Sequence, residues 1–339
     1  MTRIGSTFKR VLTTPLLLAA MVLYVPMVAQ AGSNAVTFVV TKNDGIPQHI
    51  IHSTEQALIK TGIEIDKSII EVNDSQTANA AVRASNPKDL IVSIGTKAAA
   101  FAYRQYPDRP MINALITHSS FAQLVDNHLG GAEQALNLEI TPLLINQPIS
   151  RFFTLGLQLV PEAKTIGVLI GPSNKAKLPD IKAQAERLGL TINIALLKPD
   201  SNPIKVIEPI MRSSDFFVVL PDRKYINQLA AKWILPLSYR YNKPVIAYSK
   251  KYVDAGALAA VFSSPDNVAT RVAATVATTV TTTIAKQLQQ DIPKATAGTD
   301  NNQYFSVALN RSVGRSLRIQ LQQPEYYQQQ LQAKEKSTP

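Results

Sequence analysis

Two residue pairs in the sequence have spacings that occur in enzymes. Tyr239 and Lys243 fit the Y-x-x-x-K pattern of short-chain dehydrogenases. That chemistry needs a bound nucleotide, and the chain has neither a G-x-G-x-x-G fingerprint nor a phosphate-binding G-x-x-x-x-G-K loop. Ser85 and Lys88 fit an S-x-x-K pattern, but Pro87 disfavours the helix that would bring the two side chains together. A G-x-S-x-G nucleophile elbow is also absent, so we predict a protein that is not an enzyme.

The four histidines do not form a metal-binding pattern. His49 and His52 are three residues apart and Asp44 is near, but a third strong ligand is missing from this region. His118 and His128 are isolated in sequence. We therefore predict no metal and no cofactor, and we expect the histidines to have structural or solvent-facing roles, with His118 as the one that could face a ligand.

Small polar residues follow five apolar runs, each at the point where a strand is expected to end. If these strands are parallel, their carboxyl ends meet at one sheet edge, which is where open α/β sheets bind ligands. Thr96 could cap the helix that follows it, with backbone amides stabilising a ligand carboxylate. Strand-to-helix loops need such residues in any case, so each segment has a purely structural alternative. The candidate residues in these segments are Ser93, Gly95, Thr96, His118, Ser119, Ser173, Asn174, Asp222 and Ser249.

The apolar pattern indicates an α/β fold with two parallel sheets. Continuous β-branched runs alternate with amphipathic stretches, which is typical of parallel sheets covered by helices on both faces. The number of these runs exceeds the number of strands in an ordinary single sheet. The predicted strands are Val36–Val40, Leu90–Ile94, Ile112–Ile116, Ile166–Ile170, Ile192–Leu197, Phe216–Leu220, Val245–Tyr248, Leu258–Phe262 and Phe305–Leu309. The predicted helices include Thr54–Lys60, Lys97–Tyr103, Ile149–Leu159, Ile181–Leu188 and Pro203–Met211.

The first 31 residues have the order of a secretory signal peptide. Basic residues precede a short apolar core, and Ala29-Gln30-Ala31 forms a small-residue cleavage site. The core is shorter than the roughly 20 residues that span a bilayer, so we predict cleavage after Ala31 and export to a periplasm rather than an uncleaved anchor. Cleavage lowers the net charge from +11 to +8, because three basic and no acidic residues are lost.

The remaining positive charge is spread along the chain. Arg311, Arg315 and Arg318 lie at near-helical spacing, but basic residues are not interleaved with aromatic ones, so we interpret them as a solvated surface and expect no nucleic-acid partner. Cysteine is absent, which excludes disulfides and a lipid-modified N-terminal cysteine.

The chain divides into two series of strands and helices at a seam near residues 146–150. Asn146-Gln147-Pro148 has the composition of a helix start, with an N-cap followed by proline. We predict an N-terminal lobe over 32–147 to which 258–300 crosses back, a C-terminal lobe over 148–257 to which 301–321 returns, and a glutamine-rich, frayed tail over 322–339. An apolar stripe from Val268 to Ile284 predicts one buried helix face in the crossing region. Gly256 is placed where the backbone must turn near the ligand or the hinge.

Several segments resemble the substrate-binding proteins of ABC importers, in the branch with the periplasmic-binding-protein type I fold that includes tryptophan/tyrosine-type binding proteins. The resemblance runs from about residue 34 to about residue 320. It rests on the segments DLIVSIGTKAAAFA, QPISRFFTLGLQLVPEAKTIGVLIGPSN, SDFFVVLPDRKYIN, PVIAYSKKYVDAGALAAVF and YFSVALNRSVGRSLRI.

The resemblance implies two Rossmann-like lobes that close on a small molecule by a hinge motion. In its terms hydroxyls and the Gly95 and Thr96 amides hold a carboxylate, Asp222 holds an amino group, and Tyr225 or Phe121 stacks on the ligand. It also implies an inner-membrane permease and ATPase as partners, for a monomeric protein that binds an amino acid or a related small organic ligand. A periplasmic sensor that signals to a membrane protein, without transport, is the alternative.

Overall fold

The computed structural model describes residues 34–72, 89–131, 133, 135, 138–222, 225–226, 228–287 and 304–337. The predicted signal peptide and the Ser85–Lys88 pair lie outside these residues. Among the residues described, no helix is long and apolar enough to cross a membrane.

The first lobe is built on a five-stranded parallel sheet. Its strands are β1 (Ala35–Val40), β2 (Asp66–Glu71), β3 (Leu90–Ile94), β4 (Met111–Ile116) and β5 (Ile140–Leu144), in the order β2-β1-β3-β4-β5. Helices α1 (Gly45–Lys60), α2 (Thr96–Gln105) and α3 (His118–Leu129) connect them. The central strands are buried almost completely, because helices cover both faces of the sheet.

The second lobe repeats this plan with one added strand. Its strands are β6 (Thr165–Ile170), β7 (Thr191–Leu196), β8 (Phe216–Val219), β9 (Val245–Ala247), β10 (Ala259–Phe262) and β11 (Ser306–Leu309), in the order β11-β10-β9-β8-β6-β7. Only the β10–β11 pair is antiparallel. The helices are α4 (Ile149–Leu159), α5 (Leu178–Arg187), α6 (Pro203–Arg212), α7 (Gln228–Tyr241) and α8 (Lys250–Asp254), with a 3₁₀ helix at Pro172–Lys177. The prediction of an α/β fold with two parallel-sheet lobes is confirmed.

A long helix, α9 (Pro265–Gln287), returns the chain to the first lobe and packs on α1. Val268, Val272 and Val276 are 0–1% exposed and form the buried stripe expected from the sequence. Five threonines of this helix, at positions 270, 275, 278, 279 and 281, donate their hydroxyls to backbone carbonyls four residues earlier, as Thr275 does to Arg271 at 2.9 Å. These bonds satisfy the hydroxyls inside the helix, so packing on α1 can stabilise a sequence of low helix propensity.

Two elements differ from the predicted boundaries. The strand at residues 258–262 does not cross to the first lobe: as β10 it pairs with β9 and β11 in the second sheet, and the chain crosses afterwards at residues 263–264. The C-terminal region is not a frayed tail. It contains α10 (Arg311–Ser316) and α11 (Pro324–Ser337), and α11 packs on α4 through Tyr327 and Leu331, which are 3% and 1% exposed.

Two short connections join the lobes. Residues 145–148 lead from β5 to α4, and residues 263–264 lead from β10 to α9. A third connection, between α9 and β11, includes residues 288–303, which lie outside the described residues. The two described connections are bonded to each other, because the Gln147 side chain donates to the Ser263 hydroxyl at 2.8 Å.

Candidate ligand-binding site

Both sheets have a topological switch point between equivalent strands, β1 and β3 in the first sheet and β6 and β8 in the second. In the order β2-β1-β3-β4-β5, the chain leaves β1 and β3 in opposite directions, and the same holds for β6 and β8 in the second sheet. A crevice forms outside the carboxyl ends of such strands, where open α/β sheets bind ligands. The candidate ligand-binding residues are therefore those that follow β1 and β3 in the first lobe, and β6 and β8 in the second.

The helix that follows β3 begins without a side-chain cap. Gly95 is the N-cap residue of α2, with φ 93° and ψ 162°, a conformation that favours glycine. Thr96 is the first helical residue and is partly exposed, so the prediction that Thr96 caps this helix is wrong. The Gly95 amide donates to the Ala114 carbonyl at 2.9 Å, so it is already used within the lobe.

Ser93 lies inside the first lobe rather than in the crevice. It is 0% exposed, and its hydroxyl donates to Asn113 Oδ1 at 2.7 Å. The Asn113 amide in turn donates to the Tyr103 hydroxyl. Burial raises the pKa of Tyr103 well above its ordinary value, so the phenol stays protonated. A strand residue points alternately to the two faces of the sheet, and position 93 points to the face covered by α2.

The helix that follows β4 has its N-terminus satisfied. The Thr117 hydroxyl accepts the Ser120 amide at 3.2 Å, and Asn146 Oδ1 accepts the His118 amide at 2.7 Å. His118 and Ser119 have exposed side chains in the first turn of α3. The sequence prediction gave Asn146 a different role, as N-cap of α4. The structure has Pro148 at that position, which leaves Asn146 to link the connection between the lobes to α3.

Asp222 connects two strand ends of the second lobe. Its carboxylate accepts the Ser173 amide at 3.0 Å and the Tyr225 amide at 3.2 Å, and the residue is 2% exposed. The Asn174 side chain adds a bond from its amide to the Pro221 carbonyl at 2.8 Å. Gly171 allows this close approach, because a Cβ there would lie 2.3 Å from the Asp222 carboxylate. Ser173 is exposed beside this linked pair of loops.

The end of β9 belongs to the same bonded group. The Tyr248 hydroxyl donates to the Ile226 carbonyl at 2.8 Å, and Ile226 directly follows Tyr225, whose amide Asp222 accepts. Burial raises the pKa of Tyr248, and the negative charge of Asp222 adds to the increase. Tyr248 packs on Tyr252 with ring centroids 5.2 Å apart. Ser249 is the partly exposed N-cap of α8, without a side-chain cap bond.

Gly256 lies at the opposite edge of the second sheet. It follows α8, which carries the chain back from the carboxyl end of β9 to the amino end of β10. Its φ of +124° explains the glycine, because other residues are strained there. The structure therefore separates Gly256 from the other predicted residues, and it shows Ser93 and Asp222 engaged in bonds within their lobes.

Residues after β1 were not predicted, although they stand at the first-lobe switch point. The backbone amide of Asn43 donates to Glu71 Oε1 at 3.2 Å. The side-chain Oδ1 of Asn43 is buried without a hydrogen-bond partner among the residues described. Their signal in the sequence, Thr41-Lys42-Asn43-Asp44 after an apolar run, matches the other strand-end segments.

Metal-ligating side chains do not cluster in the described part of the chain. His49 binds Asp266 at 2.6 Å, which joins α1 to α9. This contact gives that histidine a structural partner within the first lobe.

Comparison with known proteins identifies the family. The model of the ABC transporter substrate-binding protein family matches residues 33–323. The chain therefore belongs to this family, as the sequence resemblance predicted. No curated protein sequence matches the chain.

Solved structures of low sequence identity share the fold. A ligand-free, open substrate-binding protein with adhesive properties from Clostridium difficile is 17% identical, with 86% of this chain and 97% of that chain covered and a TM-score of 0.62. A conserved domain protein from Vibrio cholerae is 19% identical, with 85% and 95% covered and a TM-score of 0.50. The ABC domain from Streptococcus pneumonia in complex with L-Trp is 22% identical, with 87% and 97% covered and a TM-score of 0.48. The fold is that of the two-lobe periplasmic binding proteins.

Family and fold together define a solute-binding protein that takes a small molecule and works with an ABC transporter. The family is one of binding proteins and not a class of enzymes.

Proposed function

We propose that this protein captures an amino acid or a related small organic acid between its lobes and delivers it to an ABC importer. The observation that carries the ligand class is the uncapped N-terminus of α2 at the switch point between β1 and β3. Helix N-termini leave their first amides without partners inside the helix and attract negative charge.

The two helix N-termini of the first lobe differ in a way that favours α2 as the carboxylate site. The Thr117 hydroxyl and the Asn146 side chain supply acceptors to amides in the first turn of α3. The cap of α2 is a glycine, which offers no side-chain acceptor to the amides of Thr96, Lys97 and Ala98. A ligand carboxylate would take that place.

The remaining contacts are assigned to partly or fully exposed side chains at the strand ends. Asp222 supports the second-lobe loops and does not bind an amino group of the ligand, because it is 2% exposed and accepts two backbone amides. The proposed contact residues are Thr96, His118, Ser119, Ser173, Tyr225 and Ser249.

The importer context is part of the proposal. We infer that residues 1–31 direct export and are removed, that the exported protein is a monomer in the periplasm, and that it docks on an inner-membrane permease with its ATPase. Stimulation of that ATPase by the liganded protein, measured in proteoliposomes, tests this step. A liganded protein that leaves the ATPase at its basal rate would contradict it.

A thermal-shift screen of residues 32–339 tests the ligand class. The compounds are amino acids, nucleosides, sugars and small organic acids, with L-tryptophan included because one structural neighbour was solved with it. A ligand at 100 times its Kd adds about 2.7 kcal/mol to the stability of the folded state, so a carboxylate-containing hit should raise Tm by several degrees. Hits confined to sugars or nucleosides would overturn the carboxylate assignment.

Two substitutions of Thr96 separate the contribution of the backbone amides of the α2 N-terminus from that of the threonine hydroxyl. Thr96→Pro removes one amide donor at the first helical position, where proline is well tolerated. Thr96→Val keeps the amide and removes the hydroxyl. If the α2 amides bind the carboxylate, Thr96→Pro should weaken binding by about tenfold or more, and Thr96→Val should weaken it less. Equal affinity of Thr96→Pro and the unaltered protein in isothermal titration calorimetry would show that the carboxylate is bound elsewhere.

A further inference from the structure

A buried arginine joins the C-terminal helix to the second lobe. The Arg151 side chain is 0% exposed, and its guanidinium lies 3.9 Å from the ring centroid of Phe305. Nε and one terminal nitrogen donate to the two carboxylate oxygens of Glu335 at 2.6 and 2.8 Å. A buried charge is tolerated only when it is paired in good geometry, so Arg151 fixes the position of Glu335 on α11.

The same guanidinium reaches the connections between the lobes. Its other terminal nitrogen donates to Gln147 Oε1. The Gln147 amide donates to the Ser263 hydroxyl at 2.8 Å, and that hydroxyl lies 3.4 Å from the Ile145 carbonyl. Gln147 belongs to the first connection and Ser263 to the second. A continuous chain of side-chain hydrogen bonds therefore runs from α11 to both described connections.

The first-lobe side of this chain is also anchored. Arg271 of α9 donates to the Leu144 carbonyl at 2.6 Å, and Asn146 accepts the His118 amide. Backbone rotation in the first connection is thus restrained from both lobes. Closure of two lobes is absorbed by a few residues in such connections, so bonds between the connections limit how far the lobes can rotate.

We propose that Glu335, Arg151, Gln147 and Ser263 are positioning residues for solute binding, which set the range of lobe orientations from outside the crevice. In this role α11 acts on ligand affinity through the hinge, without contact with the ligand. The inference rests on the proposed function for its link to affinity, but its effect on the connections can be measured in the ligand-free protein.

The experiment compares Ser263→Ala with Ser263→Thr and with Ser238→Ala in the exported chain, residues 32–339, without ligand. Ser238 donates its hydroxyl to the Lys243 carbonyl at 2.6 Å within the second lobe, so Ser238→Ala removes a bonded serine hydroxyl away from the connections. We expect Ser263→Ala to accelerate amide exchange at residues 145–147 and 263–264 by at least about fivefold, which is the effect of losing one hydrogen bond, because the Ser263 hydroxyl takes part in two. Ser263→Thr keeps the hydroxyl and should restore slow exchange, and Ser238→Ala should leave both segments unchanged.

Interlobe distances give the second readout. Because the chain contains no cysteine, spin labels can be placed at Lys60→Cys and Lys182→Cys, one exposed site in each lobe. Ser263→Ala and Glu335→Gln should both broaden the distance distribution, although the two positions lie at opposite ends of the bonded chain.

Unchanged exchange and an unchanged distribution in both variants would overturn the proposal. Broadening by Ser263→Ala alone would also overturn it for Glu335 and α11. Since no ligand is present, neither result depends on which solute the protein binds, so a failure here is distinct from a failure of the proposed function.

Discussion

The Asp222 carboxylate holds two loops of the second lobe by accepting one backbone amide from each. Asp222→Asn replaces one acceptor oxygen with a donor, which leaves a buried amide without its partner. We expect the variant to lose about 1–3 kcal/mol of unfolding free energy, measured by urea denaturation. Asp200→Asn, at an exposed turn position, is the control and should change little. Equal stability of the two variants would show that the Asp222 carboxylate does not hold the two loops together.

The surroundings of Asp215 predict how the unfolding free energy depends on pH. Burial acts to raise its pKa, but hydrogen bonds from the Lys164 and Thr165 amides, together with the charge of Lys243, lower the pKa below its usual value. A carboxylate with a lowered folded-state pKa stabilises the protein above the pKa of an unfolded aspartate, about 3.9. That contribution is lost as pH falls through the folded-state pKa.

The corresponding variant is Asp215→Asn. Its unfolding free energy should depend less on pH than that of the unaltered protein between about pH 5 and pH 2, measured by urea denaturation across that range. Asp200→Asn again serves as control and should keep the original slope. A slope unchanged by Asp215→Asn would mean that the folded-state pKa is not lowered.

At the scale of elements, the C-terminal helix α11 is an integral part of the second lobe. Its sequence is rich in glutamine, but Tyr327 and Leu331 occupy one face and join the core of that lobe. Leu331→Ala should cost about 2–5 kcal/mol of unfolding free energy, measured by chemical denaturation. Gln329→Ala changes an exposed position of the same helix and should stay within about 0.5 kcal/mol. Similar small effects of both substitutions would indicate a helix that does not pack.

At the scale of the whole molecule, the two lobes and their connections predict a change of shape on binding. A ligand that contacts both switch points favours orientations in which the crevice is closed. A saturating hit from the screen should therefore lower the radius of gyration measured by small-angle X-ray scattering, and Tm should rise in the same titration. A hit that raises Tm at an unchanged radius would place its site within one lobe.

Most strands and several helices could be predicted, because buried parallel strands are continuous apolar runs. Two edge strands could not. β2 (DKSIIE) is exposed along most of its length, and β5 contains Pro142, which is tolerated at a sheet edge but is typical of a loop in sequence. The packing of the glutamine-rich α11 could not be predicted for a related reason: two buried side chains are too few to produce a pattern, yet they suffice to pack the helix against α4.

The sequence by itself determined the α/β fold, the division near residue 146, the family and the strand-end segments, because these depend on local composition and on the order of elements along the chain. Only the tertiary structure decided which polar residues are exposed at those strand ends. Ser93 and Asp222 lie in the same strand-end segments as the partly exposed residues Thr96 and Tyr225, but their partners, Asn113 and the Ser173 amide, are brought to them by strand pairing across the sheet. Hydrogen bonds between residues distant in sequence follow from folding, and no local pattern specifies them.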